Sequence, residues 1–151
     1  MNVSLFPISG REIEAGFGRV ISRFYLLESD DSAALCDLGD DSGVIEKLLQ
    51  QVNAGDNVIS AVSGGSLLGD DGAGTFCTFL SAEEVAGVSQ FLSSLPVLDV
   101  MRQAPEVLSG IIRGRIPVGY LEDLEGTLID LWEVYDLAAR EALCVAQVYE
   151  G

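Results

Sequence analysis

The sequence predicts one α+β domain over residues 1–151, a small sheet packed against several helices that include a long amphipathic one near the C-terminus. Three observations carry that reading. Apolar residues alternate at both ends of the chain and at its centre, as in strands. Two Ser-x-x-Glu signatures mark helix starts. A stretch of about twenty residues near the end repeats its apolar positions at helical spacing.

The elements follow in order. Val3-Ser-Leu-Phe-Pro-Ile8 alternates and reads as a first strand. Ser9-x-x-Glu12 has capping-box spacing, with Ser9 accepting from the Glu12 N–H and the Glu12 side chain reaching back. A helix follows from Gly10, with Ile13, Phe17, Val20, Ile21 and Phe24 on one face and a break expected near Gly16 and Gly18. Asp41 or Ser42 caps a second helix that buries Val44, Ile45, Leu48, Leu49 and Val52. The run 58–62 is short and apolar. Thr75-Phe-Cys-Thr-Phe-Leu80 alternates as a strand, and Ser81-Ala-Glu-Glu84 opens a helix with Val85, Val88, Phe91, Leu92 and Leu95 inward. Pro96 and Pro105 punctuate a helical region reaching about Ile112. After Pro117, Leu121, Leu124, Leu128, Leu131, Trp132, Tyr135, Ala138 and Ala139 form the apolar side of the long helix. Its Asp136 and Arg140 are spaced to pair. Leu143–Tyr149 reads as a closing strand. The Gly-, Ser- and Asp-rich segments 29–43 and 63–74 read as loops.

Composition excludes more than it specifies. The chain has 151 residues, 48% of them hydrophobic. A protein of this size buries about two thirds of its surface and needs no metal or disulfide staple. There are 24 acids against 8 bases, a net charge of −16. Nucleic acid and anionic lipid are poor partners for such a chain. With no histidine, no His-based triad or HExxH site exists. Charge comes in blocks: residues 28–75 and 116–151 are strongly acidic, and the middle is nearly neutral. The start, Met1-Asn-Val-Ser-Leu-Phe-Pro7, has no basic or apolar signal region, and no apolar run is long enough to span a membrane. Cys36, Cys77 and Cys144 are scattered and read as reduced, mostly buried thiols of a cytoplasmic protein.

Motif tests are mostly negative. Gly64 and Gly69 have Walker spacing, but Asp70 and Asp71 stand where Lys and Ser/Thr belong and would repel a phosphate. The dinucleotide fingerprint fails at Cys77, where its third glycine belongs. Asp37-Leu-Gly-Asp-Asp-Ser-Gly43 is out of register for an EF-hand. Lys47, the one lysine, has Val44 three residues before it, so no SxxK pair exists. Arg113 and Arg115 either bind an anion or offset the local acid excess. No cofactor and no metal are expected.

Two segments carry a resemblance. Ser63–Val85, SGGSLLGDDGAGTFCTFLSAEEV, and Leu128–Tyr149, LIDLWEVYDLAAREALCVAQVY, resemble the bacterial YfbM-like family, a domain of unknown function. Its members show a Gly-Gly segment, a Gly-rich turn, a short strand and Leu-Thr-x-Glu-Glu-Val opening a helix. The order of elements agrees along nearly the whole chain. Asp37–Gly43 replaces the family's Asp-Lys-x-Trp-His-like segment. The resemblance implies a single α+β domain and supplies no reaction and no catalytic residues.

Small size, high acidity and the missing catalytic set lead to one expectation: a non-enzymatic binding protein, an immunity protein that neutralises a bacterial toxin by covering its basic surface. Glu122, Asp123, Glu125, Asp130 and Glu133 of the last helix, with Asp70 and Asp71 of the Gly-rich loop, are the expected partner-facing charges. Two alternatives stay open. One is an enzyme or small-ligand binder with carboxylates in a cleft; the other is a structural or regulatory module whose charge confers solubility.

Overall fold

Alternation in β1 (Asn2–Ile8) sends Val3 and Leu5 to one face and Ser4, Phe6 and Ile8 to the other, and all five are buried. A strand buried on both faces belongs in the middle of a sheet. The computed structural model, which describes residues 1–30, 34–52 and 61–151, places it there. β2 (Cys36–Gly39), β3 (Ser66–Asp70), β4 (Thr75–Leu80) and β5 (Cys144–Glu150) complete an antiparallel sheet of order β2-β1-β5-β4-β3. β1 and β5 pair along their full length, from Asn2 with Glu150 to Ile8 with Cys144.

The strands expected at the ends and centre of the chain are present. β2 and β3, however, lie inside the segments expected to be loops. Both are short edge strands, where one neighbour suffices and the composition need not be strand-like. β2 still alternates, with Cys36 and Leu38 buried and Asp37 exposed. In β3, a Cβ on Gly69 would come within 2.9 Å of Phe17 Cβ, so this glycine serves close packing within a strand.

The two faces are covered unequally. α1 (Gly10–Glu14) and α2 (Phe17–Glu28) pack Ile13, Val20 and Phe24 against Phe6, Ile8, Cys77, Ala146 and Val148. Gly16 separates them at φ 100°, a left-handed conformation that favours glycine, so the expected break is present. Ser9 caps α1 through the Glu12 N–H, 3.2 Å away. The second half of the expected capping box is not made, because the Glu12 carboxylate turns to Arg19 and Arg23.

The opposite face carries α3 (Ser42–Val52), α4 (Ala82–Ser93), α5 (Val97–Met101), α6 (Ala104–Ser109) and α7 (Tyr120–Arg140). Both halves of the box at Ser81 and Glu84 are present, at 3.2 and 3.0 Å. α7 buries Leu124, Leu128, Leu131, Val134, Tyr135 and Ala138. Each such aliphatic or aromatic side chain contributes about 1.5–3 kcal/mol. The result is a three-layer α+β domain: α1 and α2, the sheet, then the larger helical layer. Of the run 58–62, Ala61 and Val62 are helical and buried, and residues 58–60 lie outside the described residues.

Polar groups inside the larger layer are paired. Gln147, fully buried on β5, accepts from the Gly65 N–H at 3.1 Å and from the Thr78 hydroxyl. The buried Tyr135 hydroxyl donates to the Ala61 carbonyl at 2.8 Å. All three cysteines are free and buried, as expected. Burial pushes the Cys36 thiol far up and the Cys77 thiol up to about 12. Among the described residues, no helix is long and apolar enough to cross a membrane.

Candidate functional site

α7 lies over β1, β2 and β5 and turns its other side outward. Three- and four-residue steps place Glu122, Gly126, Ile129, Glu133, Asp136 and Arg140 in one row, and every one of them is exposed. Asp123 and Asp130 are exposed to one side of that row, and Glu125 is half-buried on the other. Glu122 and Asp123 sit in the first turn, where negative charge complements the helix dipole. This matters because Gly119, at the N-cap, offers no side chain. Asp136 pairs with Arg140 at 3.0 Å, the pairing expected from their spacing. Burial, then the Glu133 carboxylate, raise the Asp130 carboxyl above its ordinary value.

Asp70 and Asp71 are placed elsewhere. They end the outer hairpin, β3–β4, which is not among the strands α7 covers. Both are exposed, yet both work within the turn. Asp70 Oδ1 accepts from the Gly72 N–H at 3.0 Å; Asp71 Oδ1 accepts from the N–H groups of Ala73 and Thr75 at 2.7 and 3.1 Å. Those bonds hold the Asp71 carboxyl below its ordinary value. The five acids of α7 therefore share one helix, and the loop pair belongs to a separate surface. Arg113 and Arg115 are exposed in the loop before α7 and form no ion pair among the described residues.

Two concavities border this frame. The larger, about 420 Å³, is an open cleft where β1 ends, between α1, α2 and α7, and Glu12, Arg23 and Asp30 stand on its wall. The hydrogen bond and charge of Arg23, with the charge of Arg19, hold the Glu12 carboxyl below its ordinary value despite burial. Glu12 is thus an engaged anion at neutral pH.

The second is a groove of about 280 Å³ between α4 and α7, lined by Ser89, Leu92, Ser93, Trp132, Glu133 and Asp136. Trp132 forms its apolar side. The indole Nε1–H donates to the carbonyls of Leu92 and Leu95, at 2.9 and 3.0 Å, which fixes the ring against the end of α4. Reading the sequence placed Trp132 on the apolar side of the last helix and did not single out this groove. The available signal was a tryptophan followed at one and four residues by carboxylates, at the border between the buried and exposed sides. Among the described residues, no group of three or more Cys, Asp or Glu side chains is placed to hold a metal ion.

These features define a class: a small three-layer α+β domain with an antiparallel sheet and an acidic, outward-facing last helix. Within that class, the fold is YfbM-like. The crystal structure of YfbM from Escherichia coli, a protein of unknown function, matches with a TM-score of 0.60 over 99% of each chain, at 19% sequence identity. That likeness establishes the fold alone. No protein-family model matches the sequence. No curated protein matches it either.

Proposed function

We propose that this protein is a non-enzymatic acidic binding protein, that it docks a basic protein partner on the outward side of α7, and that the docking neutralises a bacterial toxin. The supporting observation is the make-up of that side: Glu122, Asp123, Asp130, Glu133 and Asp136 are exposed, with Arg140 the one base on the helix. A concentrated field of one sign speeds encounter with a basic surface and rejects acidic ones. Self-repulsion in so acidic a domain costs stability, and a partner that neutralises it recovers that cost.

A carboxylate enzyme would place an acid of raised pKa in a cleft. The cleft of about 420 Å³ instead holds Glu12, paired with arginine and lowered, and the raised Asp130 lines only a small concavity of about 80 Å³. This favours the binding reading. The test is co-expression with the product of the adjacent gene, with growth as the readout. Expected is toxicity of the neighbour alone, rescue by this protein, and a complex that weakens as salt rises. A harmless neighbour that forms no complex would remove the toxin-neutralising reading for that pair.

A further inference from the structure

We infer that the groove between α4 and α7 is the anchor point for an arginine side chain projecting from the protein partner; this rests on the docking reading above. Three features of the groove each select a cation. Glu133 and Asp136 stand on the α7 side. Leu92 and Ser93 belong to the last turn of α4, the negative end of its dipole, and Ser89 lies just before that turn. That last turn carries no basic residue of its own. Trp132 supplies an indole held at fixed orientation by its two hydrogen bonds, and a guanidinium stacks on such a surface.

The shape favours arginine over lysine. A planar guanidinium can lie against the ring and present several N–H groups to two carboxylates, whereas an ammonium acts as a point charge. The Ser93 hydroxyl donates to the Gln90 carbonyl at 2.9 Å, which leaves its oxygen able to accept from an incoming N–H. Arg140 engages Asp136 from solvent, but both side chains are about two-thirds exposed, and exposed pairs of this kind are weak enough for an incoming cation to displace.

The chain has one tryptophan, so its fluorescence reports on this groove. The probe is the peptide acetyl-Gly-Arg-Gly-amide, added to the full-length protein, with the citrulline peptide as a neutral control of the same shape. Expected is a saturable change in Trp132 emission with the arginine peptide. The citrulline peptide should bind roughly tenfold more weakly, the loss of about 1.4 kcal/mol of charge and stacking. The double substitution Glu133→Gln with Asp136→Asn should reduce binding by a similar factor while leaving the circular dichroism spectrum unchanged. No saturable change, or equal binding of both peptides, overturns the inference. The adjacent gene's product separates the two levels of the argument. If Glu122→Lys with Asp130→Lys breaks the complex and the groove variant does not, the anchor is wrong and docking on α7 stands. If neither disturbs a complex that forms, docking on α7 itself fails.

Discussion

Replacing Gly65 by alanine tests the packing between the segment before β3 and the β4–β5 ladder with a single methyl group. A Cβ at this position would lie 2.7 Å from Gln147 Oε1, 2.8 Å from the Phe79 carbonyl oxygen and 3.0 Å from its carbon. Gln147 can swing away, but the Phe79 backbone is held in the β4–β5 ladder, so the 65 backbone must move outward. That movement stretches the Gly65 N–H bond to Gln147, already 3.1 Å, and exposes a fully buried amide to loss of a partner. Overpacking costs about 1–3 kcal/mol and the weakened buried bond about 1–3 kcal/mol. The reduced entropy of the unfolded chain returns about 0.4–1 kcal/mol. The net expectation is a loss of about 1–5 kcal/mol, out of a typical total of about 5–15 kcal/mol. Urea unfolding followed by circular dichroism reads this as a lower midpoint at unchanged slope. Gly126→Ala is the matched control. It lies within α7 with nothing within 4 Å of its Cβ position, and should gain about 0.5–1 kcal/mol. A Gly65→Ala loss under about 0.5 kcal/mol would refute the steric reasoning.

Further outcomes are expected. Ser81→Ala removes the cap of α4 and should lower stability by about 1 kcal/mol, against no comparable loss for Ser66→Ala, an exposed serine of β3 outside any cap; equal unfolding midpoints for wild type and Ser81→Ala would contradict the capping account. Native protein at pH 8 should react with a thiol reagent far more slowly than unfolded protein, since Cys36 and Cys77 are buried with raised pKa values; fast labelling of either would show an open core. Stability should change with pH in two opposed ways. Glu12 is lowered in the fold, so its contribution is complete above the ordinary carboxylate value and disappears as pH falls below it. Asp130 and Glu28 are raised, so their cost is present at neutral pH and is relieved as pH falls toward the carboxylate range. The general charge repulsion is relieved as well once carboxylates begin to protonate, so the unfolding midpoint should rise as pH falls from neutrality into the upper part of the carboxylate range and drop again below the ordinary carboxylate value. A monotonic fall from pH 8 downward would contradict this balance.

Local signals in the chain announce the elements that have their own start and period. The Ser81–Glu84 box, the Gly16 break and the apolar steps from Leu124 to Ala138 all correspond to observed features. What escaped depends on neighbours distant in sequence. β2 is a strand because β1 offers it an edge, with Leu5 opposite Cys36, and four residues rich in Asp and Gly do not declare that. β3 hides a glycine whose purpose is the Phe17 side chain, 52 positions earlier. Glu12 was spaced for a capping box, but two arginines one and two turns into α2 compete for its carboxylate and win, because each guanidinium offers a full positive charge and several N–H donors where the backbone offers one N–H. The acidic side of α7 was readable from its period, whereas the groove beside it needed the packing of α4 to exist. Asp70 and Asp71 show the converse: an acidic pair in sequence becomes two acceptors that close a turn.

The docking account is tested most directly by the charge of α7 itself. The measurement is isothermal titration of the adjacent gene's product into wild-type protein and into the Glu122→Lys, Asp130→Lys, Glu133→Lys triple variant, each at low and high salt. All three positions are exposed, so the variant should fold. The account predicts tight binding to wild type that weakens steeply with salt, and a loss of roughly a hundredfold or more in the variant, as reversal of three interfacial charges implies. Equal affinity for both proteins, independent of salt, would contradict it.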